Sequence, residues 1–416
     1  MTLTTNPISA AKQRALPARS SAQSLTRSRA RSIVDSRARS MARSMVDSRA
    51  LARSLCLVGA LTLGPPLAIS HLPGQSPASL PLFSAAAQET EFSVCWSIYV
   101  GWMPWGYIEE SGIMDKWAEK YGISVDIVQI NDYVESINQY TAGAYDGCSM
   151  TNMDALSIPA GGGVDTTALI VGDYSNGNDG VILKDGRELA DIAGRNVNLV
   201  ELSVSHYLLA RALDGVGLSE RDVTVVNTSD ADMVAAYATD DVTAVVTWNP
   251  LLSEIEANAN ATKVADSADL PGEIIDIMMV NTETLAANPD FGKALVGAWY
   301  EAMTLMTAQT ADGTAALEAM AAASGTDLAG YKAQLATTKM FYTPDEAIAF
   351  TSSPELPRTM QFVAEFLFDK GILGQGAPSP EFVGVAFPDG SVYGDASNVK
   401  LRFDTSYMQL AADGAL

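Results

Sequence analysis

The sequence predicts an α/β protein of two lobes with a helical C-terminal extension. Three observations carry this reading. From Phe92 onward short apolar runs alternate with helical patterns. A Gly-rich turn, Ser175-Asn-Gly-Asn-Asp-Gly180, is followed by a second unit of the same kind. A later apolar run, Ile274–Asn281, is placed to return to the first lobe. Strands alternating with helices give a mostly parallel sheet covered by helices on both faces.

Taken in order, Phe92–Ile98 reads as a strand, and Tyr107–Tyr121 as a helix with Ile108, Ile113, Met114 and Trp117 at apolar-face spacing. Ile123–Ile130 alternates as a strand does, and Asp132–Ala142 looks helical, capped by Asn131 or Asp132. Asp146–Met150, Asn152–Ala160 and Thr167–Gly172 continue the rhythm. In the second unit Val181–Leu183, Asn196–Leu199, Val223–Asn227 and Ala244–Thr247 are strands, with helices over Ser205–Val216 and Ala231–Ala238. Beyond Thr282 helices are expected at Pro289–Gln309, Thr314–Ala323, Leu328–Leu335 and Leu356–Lys370. Gly374–Leu416, rich in Gly and Pro, reads as an irregular tail around the larger lobe.

At 416 residues the chain exceeds one ordinary core. Its charge is unevenly spread. The total is 26 Lys/Arg against 49 Asp/Glu, yet residues 1–53 hold eleven of the basic residues and only Asp35 and Asp47. Residues 54–87 carry no charge, and an apolar run from Leu55 is broken by Pro65-Pro66 before Ala85-Ala86-Ala87. That order, basic then apolar then small, is the pattern of a cleaved export signal. The expected division is therefore a leader over 1–87, a first lobe over 88–178, a second over 179–272, and a return to the first over 273–416. Cys56 lacks the flanking residues of a lipid-attachment site. An oxidising compartment permits a disulfide between Cys95 and Cys148, with two buried free thiols as the simpler expectation. So acidic a body repels nucleic acid and anionic lipid.

Catalytic and metal schemes lack parts. His206 is the one histidine beyond the leader, and no Walker A motif or GxGxxG stands in a strand-to-helix context. No cofactor or metal is expected, and the chain does not read as an enzyme. The candidates for ligand binding lie at the ends of predicted strands. Cys95-Trp-Ser-Ile-Tyr-Val-Gly-Trp-Met-Pro-Trp-Gly-Tyr107 brings Trp96, Tyr99, Trp102 and Trp105 into one stretch, and such faces attract flat or cationic ligands. Thr151, Asn152 and Asp154 follow the third strand; one of them caps the next helix, leaving others for a ligand. Glu201, Ser203, Ser205 and His206 hold the same place in the second unit, where Ser203 or Ser205 caps and Glu201 faces the cleft. Asp173, Trp248 and Asp276 complete the set; an ion pair is an equal expectation for Asp276. A chain that leaves one lobe, builds another and returns is the plan of a hinged binding protein, with its ligand between the lobes.

Several of these segments resemble the substrate-binding proteins of the nitrate/sulfonate/taurine class of ABC importers. Ser203-x-x-His206 is similar to a recurrent segment of that class. Val94-Cys-Trp-Ser-Ile-Tyr-Val-Gly-Trp-Met-Pro-Trp-Gly, Gln129-Ile-Asn-Asp-Tyr, Met150-Thr-Asn-Met-Asp-Ala-Leu and Leu199-Val-Glu-Leu-Ser-Val-Ser-His-Tyr resemble its urea-carboxylase-associated subgroup. The resemblance implies the type II-like periplasmic binding protein fold. It also implies a monomeric periplasmic receptor that hands urea or guanidine to a permease and its ATPase subunits. Charge offers a separate test. No Lys or Arg falls in the strand-end loops, whereas Asp154, Glu201 and Asp173 do, which suits planar guanidinium, then urea, ahead of an anion such as taurine, a sulfonate or nitrate. A catalytic relative of the thiamine pyrimidine synthase, and a sensory receptor, are the competing readings.

Overall fold

A computed structural model describes residues 89–416 apart from Gln375. The leader, with its cleavage site and Cys56, lies outside the described residues. The strands in chain order are β1 (Glu91–Trp96), β2 (Ser124–Gln129), β3 (Gly147–Thr151), β4 (Thr166–Ser175), β5 (Asp179–Lys184), β6 (Asn196–Leu199), β7 (Thr224–Asn227), β8 (Ala244–Trp248), β9 (Ala261–Asp266), β10 (Ile275–Asn281), β11 (Thr338–Met340), β12 (Gly384–Ala386), β13 (Val392–Tyr393) and β14 (Val399–Phe403). They form two sheets. The larger runs β13-β12-β14-β4-β10-β3-β1-β2 with β11 on β4, and the smaller β7-β6-β8-β5-β9.

Each sheet is mixed rather than uniformly parallel; in the large one β11 on β4 and β12 on β13 are antiparallel, and in both the passage between sheets reverses a strand. The chain passes between the sheets twice, after β4 and after β9. The strand that follows each passage runs antiparallel to its neighbours: β5 to β8, and β10 to both β3 and β4. An antiparallel strand begins where parallel neighbours end, so Asp179 and Asp276, near the starts of β5 and β10, join the ligand-facing edge of their sheets. The expected mostly parallel order survives in β1 with β2 and β3, and in β6 with β7 and β8.

The helices that matter to the site are α1 (Met103–Glu110), α2 (Ile113–Tyr121), α3 (Tyr133–Thr141), α4 (Asn152–Ala155), α5 (Val204–Gly215), α6 (Asp230–Tyr237), α7 (Pro289–Thr307) and α8 (Glu355–Lys370). The single helix expected over Tyr107–Tyr121 is two, α1 and α2. Gly112 between them takes a left-handed φ of 75°, a conformation that suits a residue without a Cβ and ends the run. The tail also departs from expectation. β12, β13 and β14 extend the large sheet, with β14 parallel to β4. They are three, two and five residues long, too short to show strand periodicity.

The large core stacks Phe92 on Phe291, ring centroids 4.6 Å apart, and Trp105 against Trp299 at 4.9 Å. Gly297 on α7 lets Trp117 lie flat on the helix; a Cβ there would meet its ring at 2.4 Å. Cys95 and Cys148 are register partners on β1 and β3, with Cα atoms 4.4 Å apart, and are joined as a disulfide. The free-thiol expectation fails because parallel pairing sets the two side by side. Among the described residues no helix is long and apolar enough to cross a membrane.

Candidate functional site

Between the sheets lies a small pocket of about 10 Å³, room for one water-sized group, lined by Tyr99, Trp102, Tyr133, Thr151, Asp179, Val204, Trp248 and Asp276. Strand ends bring them there. Tyr99 and Trp102 follow β1, Thr151 closes β3, Trp248 closes β8, and Tyr133 and Val204 open α3 and α5. Two indoles and two phenols thus face two carboxylates. No lining residue is basic.

Three carboxylates gather at one end. Asp173 on β4 and Asp276 on β10 are register partners. Tyr99 Oη donates to Asp173 Oδ1 at 2.9 Å, while Oδ2 of each aspartate is buried without a partner. Burial, then each other's charge, pushes Asp276 well up, and burial pushes Asp173 up. Two buried carboxylates paired in register resist both being charged, which favours the neutral form of one. The ion pair expected for Asp276 is absent: its neighbour is a second acid. Asp179, buried, is pushed up to about 7 by desolvation. Ser175 Oγ donates to its Oδ2 at 2.5 Å, and Ser267 Oγ lies 2.6 Å from Ser175 Oγ. Gly177 N donates to Ser267 Oγ at 2.8 Å. That chain of donors links both passages between the sheets to the pocket carboxylate.

Asp154 has a different surrounding. Its Oδ2 accepts from Tyr133 Oη at 2.6 Å, Thr151 Oγ1 at 2.9 Å and, from the other lobe, Val204 N at 3.2 Å. Burial raises it to about 6 in spite of these donors. Asp230, first residue of α6, repays the contact by accepting from Tyr133 N at 3.1 Å, and Ser229 Oγ donates to Asp132. Each lobe thus places an aspartate at the start of a helix in the other. Trp248 Nε1 donating to Ile98 O and Val100 N to Asn249 O add to the closed contact.

Of the residues expected in the site, the structure gathers Tyr99, Trp102, Thr151, Trp248 and Asp276 at the pocket, with Asp154 and Asp173 just behind. The others it places elsewhere. Trp96 packs under α1, where Gly106 makes room for its ring. Asn152 is turned to the second passage, receiving Ile275 N and donating to Glu273 O. Glu201 is exposed, on a turn where Leu202 takes a φ of 61° and Glu201 N donates to Asn227 Oδ1. Ser203 caps α5, accepting from Ser205 N and donating to Val200 O, so its hydroxyl is used locally. His206 accepts Leu202 N at Nδ1, and its Nε2 meets Glu220. That is a structural histidine. Ser205 keeps a buried hydroxyl without a partner. Asp179 was overlooked, since it begins a strand instead of ending one; its place after the Gly-rich turn was the available signal.

Two α/β lobes, crossed twice by the chain with an aromatic-lined pocket between them, are the fold of the periplasmic binding proteins. Residues 115–312 match the NMT1/THI5-like family. A binding protein of Brucella abortus (strain 2308) is 26% identical over 194 residues, 46% of this chain and 60% of the relative. The chain thus spans about three fifths of the length of the curated relatives it matches. The alkanesulfonate-binding protein SsuA from Xanthomonas axonopodis pv. citri, bound to MOPS, has a TM-score of 0.58 at 18% identity, over 69% of this chain and 96% of that one. The periplasmic aliphatic sulphonate binding protein SsuA from Escherichia coli has 0.54, also at 18%, over 68% and 93%. These likenesses fix the fold.

Proposed function

We propose that the chain is the solute-binding component of an ABC importer, held in the periplasm, and that its solute is a small planar cation, guanidinium first. The observation that carries this is the pocket's charge: Asp179, Asp276 and Asp173 are buried at one end with no basic side chain among the lining residues. A buried unpaired carboxylate is unfavourable until a cation arrives. Guanidinium supplies donors in its plane for bidentate bonds to carboxylates, and its faces suit Trp102 and Trp248. Urea is the second reading. Its carbonyl needs a donor, but the hydroxyls of Tyr99, Tyr133 and Thr151 already donate to Asp173 and Asp154. An anion meets like charge throughout.

The fold supports a receptor rather than an enzyme, and its Cys95–Cys148 disulfide suits an oxidising compartment. Ligand bridges the lobes, stabilises the closed form, and the closed form engages the permease. The test is a thermal-shift titration at fixed ionic strength with guanidinium, urea, taurine and nitrate, each below millimolar. A solute at about 100 times its dissociation constant stabilises by about 2.7 kcal/mol. A shift with guanidinium is expected; a shift with taurine or nitrate alone would overturn the assignment.

A further inference from the structure

One end of the cleft is built to hold an anion, and the chain's own side chain occupies it. Helix α5, 12 residues long, opens onto the pocket at Val204. The unbonded N–H groups of a helix start, with its dipole, favour negative charge there. Val204 N donates across the lobes to Asp154 Oδ2, and Tyr133 and Thr151 hold that carboxylate from its own side. Ser205, the next residue, keeps a fully buried hydroxyl with no partner.

We propose that Asp154 is a specificity-determining residue: a tethered anion on α5 that bars small free anions, sulfonates and nitrate among them, from the cleft. A free anion could reach the helix start only by displacing Asp154, leaving a buried carboxylate stripped of its donors. It would also add charge of the same sign beside Asp179 and Asp276. A cation meets neither obstacle. The inference rests on the reading that this cleft holds a solute, but not on that solute being guanidinium.

The experiment compares the unaltered chain with Asp154→Ala and Asp154→Asn, by calorimetric titration with formate, nitrate, taurine and guanidinium at fixed ionic strength. The unaltered chain is expected to give no saturable heat with any anion up to about 10 mM, a range weaker than specific capture requires. Asp154→Ala, with the seat vacated, is expected to bind formate at least about tenfold more tightly, a gain of about 1.4 kcal/mol. Asp154→Asn, which still fills the seat, gains nothing. Nitrate or taurine binding to the unaltered chain below about a millimolar overturns the proposal whether or not either variant folds. A folded Asp154→Ala that gains no anion overturns it too. Formate bound by Asp154→Ala, with guanidinium ignored by the unaltered chain, upholds anion exclusion and removes the guanidinium reading alone.

Discussion

Two groups of buried aspartates sit within one cleft and differ in a single respect. Asp154 and Asp230 have their donors, from helix starts and hydroxyls of the opposite or the same lobe. Asp173 and Asp276 each keep an oxygen that nothing reaches, and Asp179 is held at only one oxygen among the described residues. Burial raises all five above the ordinary carboxylate range. The pKa direction does not separate them, nor does the count of donors, since Asp230, Asp173 and Asp179 each accept one such bond; a wholly buried oxygen without a donor, found on Asp173 and Asp276, does. Asp154 and Asp230 bridge the lobes, and on the proposed function the other three meet the solute.

The sharpest way to break that distinction is to neutralise one member of each group. Asp179→Asn should weaken guanidinium by about a hundredfold, the weight of a charge-assisted bond, in calorimetric titration. Asp154→Asn should instead lower the melting stability of the empty protein by about 1–3 kcal/mol, since it weakens three accepted bonds. Asp276→Asn should raise the empty protein's stability by about 1 kcal/mol, because it removes like-charge strain beside Asp173. Equal effects of Asp154→Asn and Asp276→Asn would erase the comparison.

Acidity separates the groups again. Asp179 takes up a proton near pH 7 in the empty pocket, and a bound cation favours its charged form. Affinity for guanidinium should therefore be full above pH 7 and fall by up to about tenfold per unit below it. Stability of the empty fold runs the other way. Folded carboxylates raised above the unfolded value of about 4 bind more protons than the unfolded chain, so melting stability rises as pH falls from about 7 to about 4. A common pH trend in both measurements would contradict the assignment. Trp102→Ala should cost about fivefold in affinity, within the range of one cation–π face. Glu201→Ala should leave affinity unchanged, because that side chain is exposed on an outward turn.

Much of the fold was legible because the central strands are long apolar runs between polar turns; β6 over Asn196–Leu199 and the helix Leu328–Leu335 fall where periodicity puts them. The break at Gly112 and the short strands β12 to β14 were not, since few residues carry little period. Within the site, residues at strand ends such as Thr151 and Trp248 could be read from pattern alone. Asp179 could not, because its position depends on β5 reversing direction. Glu201 lies on an exposed turn that strand and helix periodicity does not describe: Leu202 takes a left-handed φ and its N–H is held by His206 Nδ1. The pairing of Cys95 with Cys148 depends on register between β1 and β3, which one sequence does not specify.

Ser175 and Ser267, on the two passages between the lobes, pair through their hydroxyls, and Ser175 in turn donates to the carboxylate of Asp179. On the proposed function, the residue that meets the solute's charge also lies beside both passages between the lobes, so grip and residence time would be set at one point. A substitution there that tightens capture would then also slow release, and evolution toward scarcer solute at this position would be evolution toward slower delivery.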